Sequence, residues 1–315
     1  MKTVILDKCT VTTGDLDMSP LERYGEVEYY DVLPKAEIIK VLQGADAVVV
    51  NKAIIDREIM DATALKFVGL FATGYNNIDV EYAKEKGIVV CNVPGYSTNS
   101  VTQITFSLLL DLASSTSKYS ASVANGEWQR ATRFSYLSYP VKEIAGKVLG
   151  IYGLGNIGIS VAKVALAFGM KVIAYTRTPK VVEGVEPVSR EELFRRSDFV
   201  SFHCPLNKDS EKVVNEHTLS LMKPSAYIIN TARGGVIDEY ALAKALKEKR
   251  IAGAGLDVLT VEPMSMDCPL ANIENCIMTP HIAWAAFESR SRLIEKVGEN
   301  MAAFLAGAPI NVVNK

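Results

Sequence analysis

Lys147–Gly158 reads Lys-Val-Leu-Gly-Ile-Tyr-Gly-Leu-Gly-Asn-Ile-Gly, and its residue types and spacing imply phosphate chemistry. Val148, Leu149 and Ile151 form an apolar run without polar alternation, which predicts a parallel strand buried on both faces. Gly153-x-Gly155-x-x-Gly158 follows at once, and Ile159–Phe168 then carries Val161, Val164, Ala165 and Phe168 at helical spacing. In that setting Gly153 permits a tight turn, Gly155 lets backbone approach a pyrophosphate, and Gly158 lets the helix close on the strand. Amides of the first helical turn, around Asn156 and Ile157, and the positive end of the helix dipole would face the diphosphate. The implied chemistry is dinucleotide binding; the alternative is a glycine-rich turn in some other α/β protein.

Such a turn needs a sheet to carry it. Lys171–Tyr175, Phe199–Phe202, Ala226–Asn230, Ala252–Asp257 and Ile277–Thr279 read as further strands. Helical stretches near Glu191–Arg196, Glu216–Met222 and Glu239–Glu248 separate them, giving a Rossmann sheet of six or seven strands. Upstream, Val4–Leu6, Glu28–Tyr30, Ala47–Val50, Phe67–Leu70 and Ile88–Val90 alternate with helices over Lys35–Gln43, closed by Gly44, and through Tyr82–Lys84, stopped at Gly87. Ser19 is expected at an N-cap with Pro20 at N1. This first part is a second doubly wound α/β unit without a glycine fingerprint.

Ser100-Val101-Thr102-Gln103 has the form of a capping box opening an apolar helix through Val101, Ile104, Leu108 and Leu112, suited to connecting two domains. Ser289–Leu305 places Leu293, Val297, Met301 and Phe304 on one face and stops at Gly307 and Pro309. Lys118–Gly146 reads as less regular, Tyr- and Ser-rich, with Trp128, Phe134 and Tyr136. Both an arm buried in a partner subunit and a loop packed on its own chain fit it.

The 315 residues suit two domains, and 49% hydrophobic with 22% charged residues describe an ordinary globular chain. A net charge of -2 gives no reason to expect nucleic acid or an anionic membrane. Met1–Asp7 reads as a strand rather than a signal peptide, and no apolar run has membrane-spanning length. Five cysteines, scattered and without Cys-x-x-Cys pairing, argue against a disulfide framework or a metal site and point to the cytoplasm.

Several stretches together resemble the D-isomer-specific 2-hydroxyacid dehydrogenase family. They are Ala72–Asp79 (Ala-Thr-Gly-Tyr-Asn-Asn-Ile-Asp), Asn92–Ser97, the glycine fingerprint, Ser201–Leu206, Asn230–Asp238, Gly255–Val258, Glu262-Pro263 and Thr279–Trp284. The resemblance implies two parallel-sheet domains, a Rossmann cofactor domain (100–286) inserted into a flavodoxin-like substrate domain (1–99 plus 287–315). It assigns catalysis to Arg233, Glu262 and His281. Reducing a 2-keto acid takes a hydride at the carbonyl carbon and a proton at the oxygen, while the carboxylate is held. His281 would deliver the proton, Glu262 would hydrogen-bond its other ring nitrogen, and Arg233 would offer a planar fork of donors. Thr73, Gly74, Tyr75 and Asn76 would bind the substrate carboxylate, and Asp257 would contact the nicotinamide carboxamide, a strand-end cap being its alternative. Of the other histidines, His203 is expected to be structural and His217 exposed. Cys204, with no base beside it, lines the cofactor cleft with Pro205 and Ala232.

NAD-specific members carry an acidic residue after the second Rossmann strand. Here the segment is Tyr175-Thr176-Arg177-Thr178-Pro179-Lys180: Thr176 replaces the carboxylate and Arg177 could supply a cation for a 2′-phosphate. NADP(H) is favoured and NAD(H) admitted; ordinary turn residues with a solvated Arg also fit. Tyr139–Lys147 and Pro280–Ala285 look most like glycerate dehydrogenase and hydroxypyruvate or glyoxylate reductase members, pointing to small polar acids. A dehydrogenase for D-lactate or a branched acid, or a dinucleotide-sensing binding protein, are the alternatives. The family also implies a homodimer.

Overall fold

Short β-branched runs set the frame. The computed structural model describes residues 1–315, which divide into two compact units, Met1–Ser97 with Ala285–Lys315, and Thr98–Trp284. In the first, β1 (Thr3–Ile5), β2 (Val27–Tyr29), β3 (Ala47–Val50), β4 (Phe67–Leu70) and β5 (Val89–Cys91) form a wholly parallel sheet of order β2-β1-β3-β4-β5. That is the flavodoxin-like order. Val48, Val49, Val50, Phe67, Val68 and Leu70 are buried without alternation, as a parallel sheet covered on both faces requires. Helices α1 (Ser19–Glu22), α2 (Lys35–Val41), α3 (Arg57–Asp61) and α4 (Val80–Glu85) connect the strands. Ser19 is not the cap of α1. Met18 holds that position, and the Asp17 carboxylate instead takes the Ser19 amide and hydroxyl, each at 2.9 Å.

The second unit begins with α5 (Thr98–Ser114) and α6 (Thr116–Ala124), followed by β6 (Val148–Tyr152), α7 (Asn156–Ala167), β7 (Lys171–Tyr175), β8 (Val185–Pro187) and α8 (Arg190–Arg196). It continues through β9 (Phe199–Phe202), α9 (Glu216–Leu221), β10 (Tyr227–Asn230), α10 (Glu239–Lys247), β11 (Gly253–Leu256) and β12 (Cys276–Met278). The seven strands are parallel in the order β12-β11-β10-β9-β6-β7-β8. Strand order reverses between β6 and β9, and ligands of such sheets bind outside the carboxyl ends at that point. The glycine turn leaves β6 and the His203–Leu206 segment leaves β9.

The Ser100 box does not cap α5, which starts at Thr98; Ser100 sits inside the helix, buried, and its hydroxyl donates to Ala283 O at 2.5 Å. Within the less regular Lys118–Gly146 stretch, α6 runs to Ala124 with Ser122 buried and Tyr119 Oη donating to Tyr139 O at 2.7 Å.

The last helix, α11 (Phe287–Leu305), belongs to the first unit. Leu293, Ile294, Val297 and Met301 are buried, and Phe304 packs on Phe67 with ring centroids 4.9 Å apart. Beyond it, Val313 N–H donates to Val90 O at 2.9 Å and Asn314 Nδ2 to Ile88 O at 2.8 Å. No helix is long and apolar enough to cross a membrane.

Candidate active site

The glycine turn shows why each glycine stands where it does. Gly153 has φ +103°, and a Cβ there would lie 2.8 Å from His203 O. At Gly158 a Cβ would lie 2.0 Å from Gly153 O, so only glycine lets α7 close on the turn. A Cβ on Gly155 would meet nothing within 4 Å, and Gly155 and Asn156 are exposed, with Ile157 half-buried. Two glycines are thus demanded by the protein's own backbone. The third faces open space at a helix N-terminus, a cradle that fits a dinucleotide's diphosphate. Gly153 N–H donates to Tyr175 O at 2.8 Å, which places the turn beside the end of β7, where Thr176 and Arg177 follow.

Arg233 sits on a turn built by Asn230 at the end of β10. The fully buried Asn230 side chain donates to Arg233 O at 2.9 Å and accepts from Ala232 N–H at 3.0 Å. Arg233 Nη1 donates to Ala232 O at 2.7 Å, and the guanidinium is half-buried. Gly234 abuts the Leu259–Thr260 backbone so closely that a Cβ would lie 1.9 Å from Leu259 C. The Arg233 turn therefore rests directly on the loop that carries Glu262.

Glu262 Oε1 accepts from Leu259 N–H at 2.9 Å, fixing its own loop, while Oε2 lies 2.6 Å from His281 Nδ1. A carboxylate can only accept, so Nδ1 carries the proton and Nε2 is left for other chemistry. His281 has φ +54°, a left-handed conformation that costs a non-glycine residue about 1 kcal/mol. Asp257 holds it there. The Asp257 backbone carbonyl accepts from His281 N–H at 2.8 Å, and its carboxylate takes Thr279 Oγ1 (2.6 Å), Ile282 N–H (2.9 Å) and Ala283 N–H (2.8 Å). Burial pushes the Asp257 pKa up, and those donors pull against it. Of the two roles the sequence offers Asp257, a nicotinamide contact or a strand-end cap, these bonds are those of a cap. The scaffolding parts played by Asn230 and Gly234 were missed, though both flank Arg233 in the sequence.

His203 points inward. Its Nε2 shares a 2.9 Å hydrogen bond with Ser201 Oγ, its Nδ1 is buried without a partner, and desolvation pushes its pKa down to about 3. His217 is exposed at the start of α9. Burial pushes the Cys204 thiol up to about 11, so it is no thiolate near neutral pH. Leu206, just past Pro205, packs on the Arg233 turn, since a Cβ on Gly235 would lie 2.9 Å from its Cδ2. Thr73, Gly74, Tyr75 and Asn76 lie in the first unit, on the loop after β4. There Thr73 Oγ1 donates to Val93 O at 2.8 Å, and Tyr75 is 40% exposed.

Residues 106–283 match the family model described as the D-isomer specific 2-hydroxyacid dehydrogenase NAD binding domain. A hydroxypyruvate reductase of Blautia hydrogenotrophica is 42% identical over 322 residues, covering 100% of both chains. Among solved structures, the TT0316 protein of Thermus thermophilus superposes with a TM-score of 0.91 at 37% identity, covering 99% of this chain and 100% of that one. An acyclic imino acid reductase (Bsp5), solved with NADPH and D-Arg, gives 0.89 at 34% identity over 99% and 100%. With that match across more than half its length and full-length relatives, the chain belongs to the D-isomer-specific 2-hydroxyacid dehydrogenase family.

Proposed function

We propose that the protein is a cytoplasmic reductase of small 2-keto acids, hydroxypyruvate or glyoxylate, which forms the D-2-hydroxy acid with NADPH preferred and NADH accepted. The observation that carries this is the 2.6 Å Glu262–His281 pair on a loop against which the Arg233 turn is locked. Arg233 binds the substrate carboxylate and the oxygen on which charge develops, using a planar fork that one point charge could not replace. The nicotinamide, when bound, supplies the hydride to the carbonyl carbon. His281 delivers the proton from Nε2 to the carbonyl oxygen, and Glu262 stabilises the cationic ring and fixes its orientation. Gly153, Gly155, Asn156, Ile157 and Gly158 hold the diphosphate at the α7 N-terminus. Thr176, at the end of β7, removes the carboxylate that would repel a 2′-phosphate, and Arg177 is exposed beside it.

The test follows NADPH and NADH oxidation at 340 nm with hydroxypyruvate, glyoxylate, pyruvate and 2-ketoisocaproate, compared as kcat/KM. Fast turnover of either of the first two with NADPH is expected. Preference for pyruvate or 2-ketoisocaproate overturns the substrate assignment, and silence with all four despite tight dinucleotide binding overturns the reductase reading.

A further inference from the structure

Arg177 follows β7 with its side chain 76% exposed, and its Nη1 lies 3.5 Å from Oδ2 of Asp209, whose side chain is 72% exposed. Asp209 stands on the loop after β9, and that loop is tightly braced. Asn207 N–H donates to Ser210 Oγ at 2.9 Å, Asn207 Oδ1 accepts from Asp209 N–H at 2.9 Å and Ser210 N–H at 3.2 Å, and Ser210 Oγ donates to Pro205 O at 2.7 Å. The buried Ser210 anchors the turn, so the carboxylate is presented from a fixed backbone while Arg177 reaches to it on a flexible side chain. Lys180, the next cation along, turns elsewhere, its Nζ donating to Leu154 O in the glycine turn at 3.4 Å.

We propose that Asp209 sets cofactor selectivity by competing with the cofactor's 2′-phosphate for Arg177, an inference that rests on the NADP(H) reading above. A guanidinium paired with a carboxylate must give up that partner to meet a phosphate, and the displaced carboxylate then stands near a second anion. NADH, which lacks the phosphate, leaves the Arg177–Asp209 pair in place. Asp209 therefore weakens NADPH binding selectively and keeps NADH competitive. The pair is exposed, so its effect is modest and screened by salt.

The test is calorimetric titration of NADPH, NADH and adenosine 2′,5′-bisphosphate, without substrate, into wild type, Asp209→Asn, Arg177→Ala and the double variant. Asp209→Asn is expected to tighten NADPH and the bisphosphate by about three- to tenfold, to leave NADH within about twofold, and to lose most of this gain at high salt. The gain should also largely vanish in the Arg177→Ala background. Unchanged or weaker NADPH binding in Asp209→Asn overturns the proposal, as does a full gain without Arg177. If Arg177→Ala weakens NADPH while Asp209→Asn does not tighten it, only the competition falls. If Arg177→Ala leaves NADPH binding unchanged, the NADP(H) reading falls with it.

Discussion

A histidine serves as an acid only when something fixes which nitrogen holds which proton, and Glu262 does this for His281 at 2.6 Å. His281→Gln is therefore expected to lower kcat by about 10²–10⁴ with cofactor affinity kept, and Glu262→Gln by less, as stopped-flow oxidation of NADPH would read. His203 illustrates the opposite fate of the same side chain. Its pKa falls from 6.5 to about 3, so the unfolded chain binds the extra proton between those values and the folded one does not. Stability is full above pH 6.5 and declines below it, by at most about 1.4 kcal/mol per pH unit from this group. His203→Asn should flatten the fall of Tm between pH 6.5 and about pH 4 relative to wild type. At this scale the glycine turn was legible because its three glycines form one contiguous pattern and the tightest clash, Gly158 against Gly153 O, lies within it. Asp257's donors were not, because Thr279, Ile282 and Ala283 lie 22–26 residues on and meet it only in the fold, whereas Asn230 bonds Ala232 and Arg233 within its own turn, a local pattern the sequence does carry.

At the scale of elements, the loops after β10, β11 and β12 form one braced body, joined by Gly234 against Leu259 and by Asp257 under the His281 turn. Gly234→Ala puts a methyl 1.9 Å from a backbone carbon, so the loops must part. A loss of about 3 kcal/mol or more by denaturant titration is expected, with kcat falling too. Asp257→Ala leaves two amides and a hydroxyl without their acceptor, and should cost about 2 kcal/mol or more. Its kcat should drop while NADPH affinity, measured by calorimetry, stays within a few-fold. The strands read well from their unbroken apolar runs, yet β8 did not. It is three residues long, with Glu186 and Pro187 exposed at the sheet edge, and leaves no period to detect. Helix α6 hid for a related reason: Ser, Thr and Tyr are weak helix formers, and its hold is tertiary, through Tyr119 and Tyr139. The false cap at Ser100 arose because a hydroxyl in the right pattern found a carbonyl 183 residues away.

Over the whole molecule, the stretch after α6 leaves Trp128 51%, Phe134 94%, Leu137 84% and Val141 62% exposed, an apolar surface of the kind that partners cover. A homodimer is expected by light scattering at micromolar concentration, and Phe134→Asp with Leu137→Asp should shift it toward monomer. The first unit is also made of two stretches, Met1–Ser97 and Ala285–Lys315, with α11 and Val313 supplying its last contacts. During synthesis the ribosome therefore emits a chain whose first-made sheet waits for its final helix until nearly everything else has emerged. The continuous unit, Thr98–Trp284, has all its strands before then. Nascent chains arrested before α11 emerges should accordingly resist protease across the second unit while remaining cleavable in the first, so the order of translation inverts the order of folding.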